Sequence, residues 1–365
     1  ESLGNIGVRN LLRSFGTPER IFRTPLSLLC TVEGIGAKTA AGIKDFQDWQ
    51  RIDEEIDRME RCGAVAVTCQ DPRFPKRLLH IYDCPFLLYV KGELPAADMY
   101  IAMVGSRAAS AYGKFTTERL SRELTLQGAV VISGMARGID TAAHRGALSV
   151  KGKTVAVLGS GIDVVYPPEN EGLYHEIAGS GAVVTEYAMG TPPNAPHFPS
   201  RNRIISGMSL GVVVLEATDK SGSLITARIA LEQGREVFAV PGGIDMAGSR
   251  GTNRLIKEGA KLVENVHDIL DEIRPQISKT NVTTETSGKV TTAEMKRENS
   301  VPASEMTTSA SERALLAALS RQPRHVDELI AATGLNTPEA LALLLQLELR
   351  GLIHQTAGNK YILQE

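Results

Sequence analysis

Between residues 99 and 265, short apolar-rich runs alternate with helical stretches, and no other feature limits the fold of this 365-residue chain so strongly. The runs are Tyr100–Val104, Val130–Ser133, Thr154–Leu158, Ala182–Glu186, Gly211–Glu216, Glu236–Val240 and Lys261–Val263. Their length suits strands, and their near-continuous apolar character suits strands covered on both faces. Helical patterns at Gly113–Gln127, Thr141–Val150 and Leu224–Gln233 lie between several of them. Such alternation predicts an α/β fold, a doubly wound and mostly parallel sheet with helices on both sides.

In a sheet of this class ligands bind beyond the carboxyl ends of the strands, so the residues after each strand are the informative ones. They are Gly105-Ser106-Arg107, Gly134-Met135-Ala136-Arg137-Gly138-Ile139-Asp140, Gly159-Ser160-Gly161, Ser221-Gly222-Ser223 and Pro241-Gly242-Gly243. Five small, glycine-rich loops on one rim let a ligand approach the backbone, with helix-start amides facing an anion. The pattern predicts a phosphate-bearing ligand. Arg107 directly follows a strand and is expected to point into the crevice. Asp140 and His144 lie four apart on one helix face, and the expectation is that they bond each other or cap neighbouring loops. Ser221 and Ser223 sit where a helix begins, so N-capping is their default role, to which phosphate contact would add.

Phe198–Gly207 reads as a proline-broken loop before a buried strand, and it carries Arg201, Asn202 and Arg203. No Asp or Glu occurs from Ala188 through Leu215, so nothing nearby in sequence neutralises the two arginines. A planar guanidinium can meet two phosphate oxygens at once. Two readings stay open: contact with phosphate, or pairing with acids that the fold brings in.

The flanks differ in character. Residues 1–62 read as short helices, and Val32-Glu33-Gly34-Ile35-Gly36-Ala37-Lys38-Thr39-Ala40 resembles a helix-hairpin-helix turn, of the kind that touches DNA phosphates. A purely structural turn accounts for it equally well. A sheet domain is expected over 63–272, and a flexible linker over 273–310, where periodicity is lost. Within 311–365, Ser311–Leu319, Val326–Thr333 and Pro338–Arg350 read as helices, followed by a two-stranded wing. That order resembles a winged helix. Pro338–Arg350 is dominated by Leu, Ala and Glu, which suits protein contact or packing better than base readout.

Bulk properties set outer limits. The net charge is −2, and residues 101–270 hold 17 Lys and Arg against 16 Asp and Glu, so any polyanion site is a local patch. Four separated cysteines argue against a zinc site or disulfide framework and for a cytoplasmic, reducing environment. No apolar run reaches the length of a membrane span. There is no P-loop, no nucleophile elbow, no metal-ligand cluster and no well-placed Cys/His pair, and Gly159-x-Gly161 lacks the third glycine of a dinucleotide fingerprint. Binding without catalysis, metal or cofactor is the simpler expectation.

Taken in order, Gly105-Ser106-Arg107 with Tyr112-Gly113, Gly134 through His144, Tyr166-Pro167 with Asn170, Phe198 through Gly207, Ser221 through Ala227, and Glu232 through Gly242 resemble the DNA-processing protein A family (DprA, also called Smf) across about residues 65–265. The resemblance implies a Rossmann-like core that binds single-stranded DNA without strong sequence preference. It also implies protection of incoming DNA, dimerisation, and loading of RecA during natural transformation. Arg107 and Arg201-Asn202-Arg203 are carried over as strand-binding. After Tyr166-Pro167 this chain reads Pro168-Glu169-Asn170 where some relatives offer a basic residue, so that rim is expected to contribute less. Phe198 and Tyr187, the aromatics nearest the arginines, either stack a base or belong to the core. The alternative is a nucleotide-hydrolysing enzyme of the phosphoribohydrolase type, which the Pro241-Gly242-Gly243 loop resembles. Ile244-Asp245-Met246 breaks that pattern.

Overall fold

The computed structural model describes residues 3–284 and, with gaps, residues 311–363. Five helices come first: α1 (Asn5–Phe15), α2 (Pro18–Arg23), α3 (Leu26–Leu29), α4 (Ala37–Lys44) and α5 (Trp49–Arg61). Leu11, Ile21, Leu29, Val32, Ile35 and Ala40 form their small core. The glycine-rich turn leads into α4 as its sequence predicts.

A nine-stranded sheet follows. Strands β1 (Ala64–Thr68) and β2 (Leu87–Gly92) pair antiparallel at one edge. The chain then alternates through β3 (Tyr100–Val104), α6 (Ala111–Leu126), β4 (Val130–Ser133), α7 (Ile139–Leu148) and β5 (Thr154–Val157). It continues through α8 (Glu171–Ser180), β6 (Ala182–Thr185), α9 (His197–Met208), β7 (Gly211–Val214) and α10 (Gly222–Glu232). Last come β8 (Glu236–Ala239), α11 (Arg250–Lys257), β9 (Lys261–Leu262) and α12 (Val266–Thr284). All seven predicted strands are present.

The strand order is β1-β2-β6-β5-β4-β3-β7-β8-β9, parallel from β6 to β9, with β2 antiparallel to β6. Strands β3 to β7 are buried along their whole length. Alternate residues feed opposite faces, so Ala102 and Val104 enter one core and Ile101 and Met103 the other. From β3 the chain steps outward through β4, β5 and β6, then crosses to β7 on the far side of β3. That reversal is the topological switch point, and it opens a crevice beyond the carboxyl ends of β3 and β7.

Two expectations need correction. Phe198–Gly207 is not a loop but most of α9, and Ile204, Ile205 and Met208 fill the core. Pro196 precedes the helix and Pro199 lies in its first turn, where a missing N–H costs no helical bond. The linker does not begin at 273, because α12 runs on to Thr284 with Pro275 inside it. The rest of that expected linker, 285–310, lies outside the described residues.

The N-terminal helices and the sheet belong to one unit, residues 1–288. Tyr89 Oη and the Met189 amide both donate to Glu55 Oε1, at 2.8 and 2.7 Å, and Arg58 pairs with Asp163 at 2.7 Å. The change of pattern at 62 is therefore not a break in packing. A second unit spans 289–365. In it β10 (Arg324–His325), β12 (Lys360–Leu363) and β11 (Ile353–Thr356) form a sheet in that order, beside α13 (Val326–Thr333). The described residues between 340 and 348 are helical, and Leu315, Leu329, Leu344, Leu347 and Ile353 meet in its core.

Candidate nucleic-acid interface

The crevice at the switch point encloses about 470 Å³. Gly105 and Arg107 line it from the loop after β3, and Asp140 from the start of α7. Arg201 and Asn202 line it from α9, and Ser221, Gly222 and Ser223 from the start of α10. Four of the five predicted loops bear on the crevice, either lining it or backing the residues that do. The exception is the loop after β8, where the Gly242 carbonyl accepts from Asn253 Nδ2 at 2.9 Å.

Arg107 is the exposed cation of the site. Its guanidinium lies 4.8 Å from the centroid of the Phe198 ring, and no carboxylate among the described residues pairs with it. Phe198 is half-buried, backed by Gly159, and stands 5.7 Å from the Tyr166 ring at the same wall. Tyr187 instead stacks on His197 at 4.2 Å. Of the two aromatics that sequence reasoning left undecided, Phe198 faces the crevice. Tyr166, which the sequence offers only within the Tyr166-Pro167 motif and not as a site residue, also lines the crevice.

Loop closure explains several glycines without a ligand. Gly138 has φ +76°, and a β-carbon there would strike the carbonyls of Ser106 and Arg107. Only glycine lets the loops after β3 and β4 touch. The Ser106 carbonyl accepts from Ile139 N at 3.1 Å, and Ser106 Oγ from Ala108 N at 3.2 Å. Gly161 packs against the Ala188 carbonyl. Ser221 caps α10, accepting from the Ser223 amide at 3.4 Å, as expected.

Arg201 and Arg203 differ from their sequence reading. Arg201 is 3% exposed, and its Nη1 donates to the main-chain carbonyls of Gly134, at 2.8 Å, and Val157. Its Nε is buried without a partner. Burial pulls its pKa down to about 10, partly opposed by the Asp140 carboxylate, so the group stays charged at neutral pH. It supplies positive potential to the crevice floor while its donors serve the ends of β4 and β5. Arg203 is 9% exposed and points away, bonding Asp83 at 2.8 Å through Nε and Glu186 at 2.6 Å through Nη2. Neither acid lies in the acid-free stretch around it. For Arg203 the reading of fold-supplied acids is the one observed.

Asp140 and His144 do not bond each other. Asp140 accepts from the Ala136 amide at 3.3 Å, and burial raises its pKa against the pull of Arg201. His144 is fully buried, with Nδ1 at 2.8 Å from Thr154 Oγ1. The Thr154 hydroxyl donates to the Val131 carbonyl at 2.7 Å, so it accepts from His144, which fixes the proton on Nδ1. Burial, then Arg201, lowers the His144 pKa to about 3. On the outer rim Arg137 is exposed and paired with Glu169, its Nη2 donating at 3.1 Å. The acid at 169 thus occupies the one cation of that rim loop.

One further residue has a role that sequence reasoning missed. The Glu216 carboxylate accepts from the Ser110 amide at 3.2 Å and the Ser110 hydroxyl at 2.7 Å, and so holds the start of α6 against the end of β7. Gly113 and Gly248 leave the room it fills, which is the one sequence signal for it.

The family model for DNA recombination-mediator protein A matches residues 65–274, which is the sheet and its crevice. The chain belongs to that family. A model for the DprA winged helix domain matches residues 300–359, in agreement with the second unit. Protein Smf of Synechocystis is 32% identical over 386 residues, spanning 99% of this chain and 96% of that protein. The X-ray structure of DNA processing protein A from Streptococcus pneumoniae superposes with a TM-score of 0.66 at 37% identity, covering 74% of this chain and 94% of its own. The DNA processing protein A of Helicobacter pylori, described for its single-stranded DNA binding mode, superposes with a TM-score of 0.53 at 30% identity, covering 58% and 96%. Among the described residues no helix is long and apolar enough to cross a membrane, and no cluster of His, Cys, Asp and Glu has the arrangement of a metal site.

Proposed function

We propose that this chain binds single-stranded DNA in the crevice between β3 and β7, without strong sequence preference and without catalysing a reaction on it. The observation that carries this reading is the exposed Arg107 guanidinium resting on the Phe198 ring. A cation for phosphate beside a ring for a base is the pairing a sequence-tolerant single-strand site requires. The buried charge of Arg201 adds attraction from the floor, and Gly222, with open space around it, admits a backbone. Asp140 and His144 are both committed to the structure, which favours binding over acid–base chemistry. The loop after β8 turns toward Asn253, which weakens the phosphoribohydrolase alternative.

The cellular role in this reading is protection of incoming single strands and loading of RecA on them, by a cytoplasmic homodimer. Family membership and the named strand binding of the Helicobacter relative support it. The test is RecA-catalysed ATP hydrolysis on a strand pre-coated with single-strand-binding protein. Wild-type protein is expected to shorten the lag before hydrolysis, and Arg107→Ala to leave it unchanged. A lag that wild-type protein does not alter counts against the loading role.

A further inference from the structure

The first turns of α6 carry a feature that the crevice alone does not use. Tyr112 is 61% and Phe115 67% exposed, three apart on one helix side, while Gly113, Thr116, Thr117 and Leu120 bury the other. Lys114 and Arg122 are exposed on the same helix, with Glu118 between them. Two outward rings one helical turn apart leave a patch of apolar surface open to water.

Their position is fixed by the crevice wall. Glu216 holds Ser110 through its carboxylate, and its main-chain oxygen accepts from the Ser106 amide at 2.7 Å. The start of α6 is therefore pinned to the end of β7, three residues past Arg107. The same carboxylate answers the positive end of the helix, and Ser110 Oγ takes the Gly113 amide at 2.9 Å. A phosphate at the helix start would meet the Glu216 carboxylate. What the turn offers is two exposed ring faces, with Lys114 and Arg122 exposed on the same helix.

We propose that Tyr112 and Phe115 form a second stacking platform, which takes bases of a DNA strand as it leaves the crevice past Arg107. The inference rests on the crevice reading and extends its footprint along α6. Charge favours this occupant, because Arg107, Lys114, Arg119 and Arg122 outnumber Glu118 and Glu123 along the path. Stacking on aromatic faces is sequence-tolerant and adds little salt dependence, since it neutralises no phosphate.

The test uses the full chain, the double variant Tyr112→Leu/Phe115→Leu, and Arg107→Ala. Anisotropy is read with an oligo-dT long enough to leave the crevice, with one of about six nucleotides, and with a long strand made abasic outside its central thymines. The double variant is expected to lose on the order of tenfold in affinity for the long strand and nothing for the short one, with an unchanged salt slope. Wild-type protein is expected to lose the same factor on the abasic strand, where the variant adds no further loss. Wild-type affinity of the double variant for the long strand, with Arg107→Ala weak on both, overturns the platform and leaves the crevice intact. If Arg107→Ala also binds normally, the crevice reading fails and takes the platform with it. Reduced self-association of the double variant in sedimentation, with strand binding unchanged, would make the rings a protein contact and also overturn the proposal.

Discussion

The Arg201 guanidinium lies where the β-carbon of any residue but glycine at position 134 would stand. Nη1 reaches the Gly134 carbonyl at 2.8 Å and the Val157 carbonyl beyond it, so one buried cation ties the ends of β4 and β5 together. The floor of the crevice depends on this pair.

Gly134→Ala is expected to destabilise the sheet unit by about 3 kcal/mol, since the methyl group displaces a buried charge from its acceptors. Urea unfolding followed by circular dichroism checks it. A loss below about 1 kcal/mol would mean that Arg201 relaxes freely.

Arg203→Ala is expected to act on stability and not on the strand. It leaves Glu186, which also accepts from Asn5 at 3.3 Å, largely buried without its cation. A cost of about 3 kcal/mol follows from breaking a buried pair, with strand affinity little changed well below the melting temperature. Paired urea and anisotropy measurements separate the two effects.

The outline of the fold was legible from residues 99–265 because β3 to β7 are buried on both faces, so their apolar runs have little else to form. The helix at 197–208 was not, because its prolines read as breaks and only the structure places them at its start. Nor was the end of α12, where polar residues and Pro275 hide a helix. At the crevice, the place of Arg107 was legible because it lies in the short loop after β3. That of Arg203 was not, since Asp83 and Glu186 reach it from other elements. Arg201 was harder still. Its partners are carbonyl oxygens, which every residue has and no sequence pattern marks.

His144 gives the protein a pH dependence of defined sign. Its pKa is depressed to about 3 from an ordinary value near 6.5, so the unfolded chain binds a proton before the folded one does. The contribution to stability is full above about pH 6.5 and declines as pH falls toward 3, by up to about tenfold in the folding constant per unit. Asp140, with its pKa raised, runs the other way, favouring the folded state as pH falls below its folded pKa. The difference between wild type and His144→Gln isolates the histidine. That difference, in chemical unfolding at pH 7.5 and 5, is expected to shrink at the lower pH.

Phe198→Leu removes both the ring under Arg107 and the face offered to a base. A loss on the order of tenfold in single-strand affinity is expected, with the salt slope nearly kept, because no phosphate contact is lost. Anisotropy at several salt concentrations measures both quantities.

The central claim is that Arg107 anchors a strand phosphate at the switch point of the sheet. The most direct measurement is anisotropy of labelled oligo-dT against wild type and Arg107→Ala across a salt series. Wild-type binding is expected to weaken linearly in log–log form as salt rises, and Arg107→Ala to bind more weakly with a slope smaller by about one. Absence of wild-type binding at low salt, or an Arg107→Ala curve that overlays the wild type, would contradict the account.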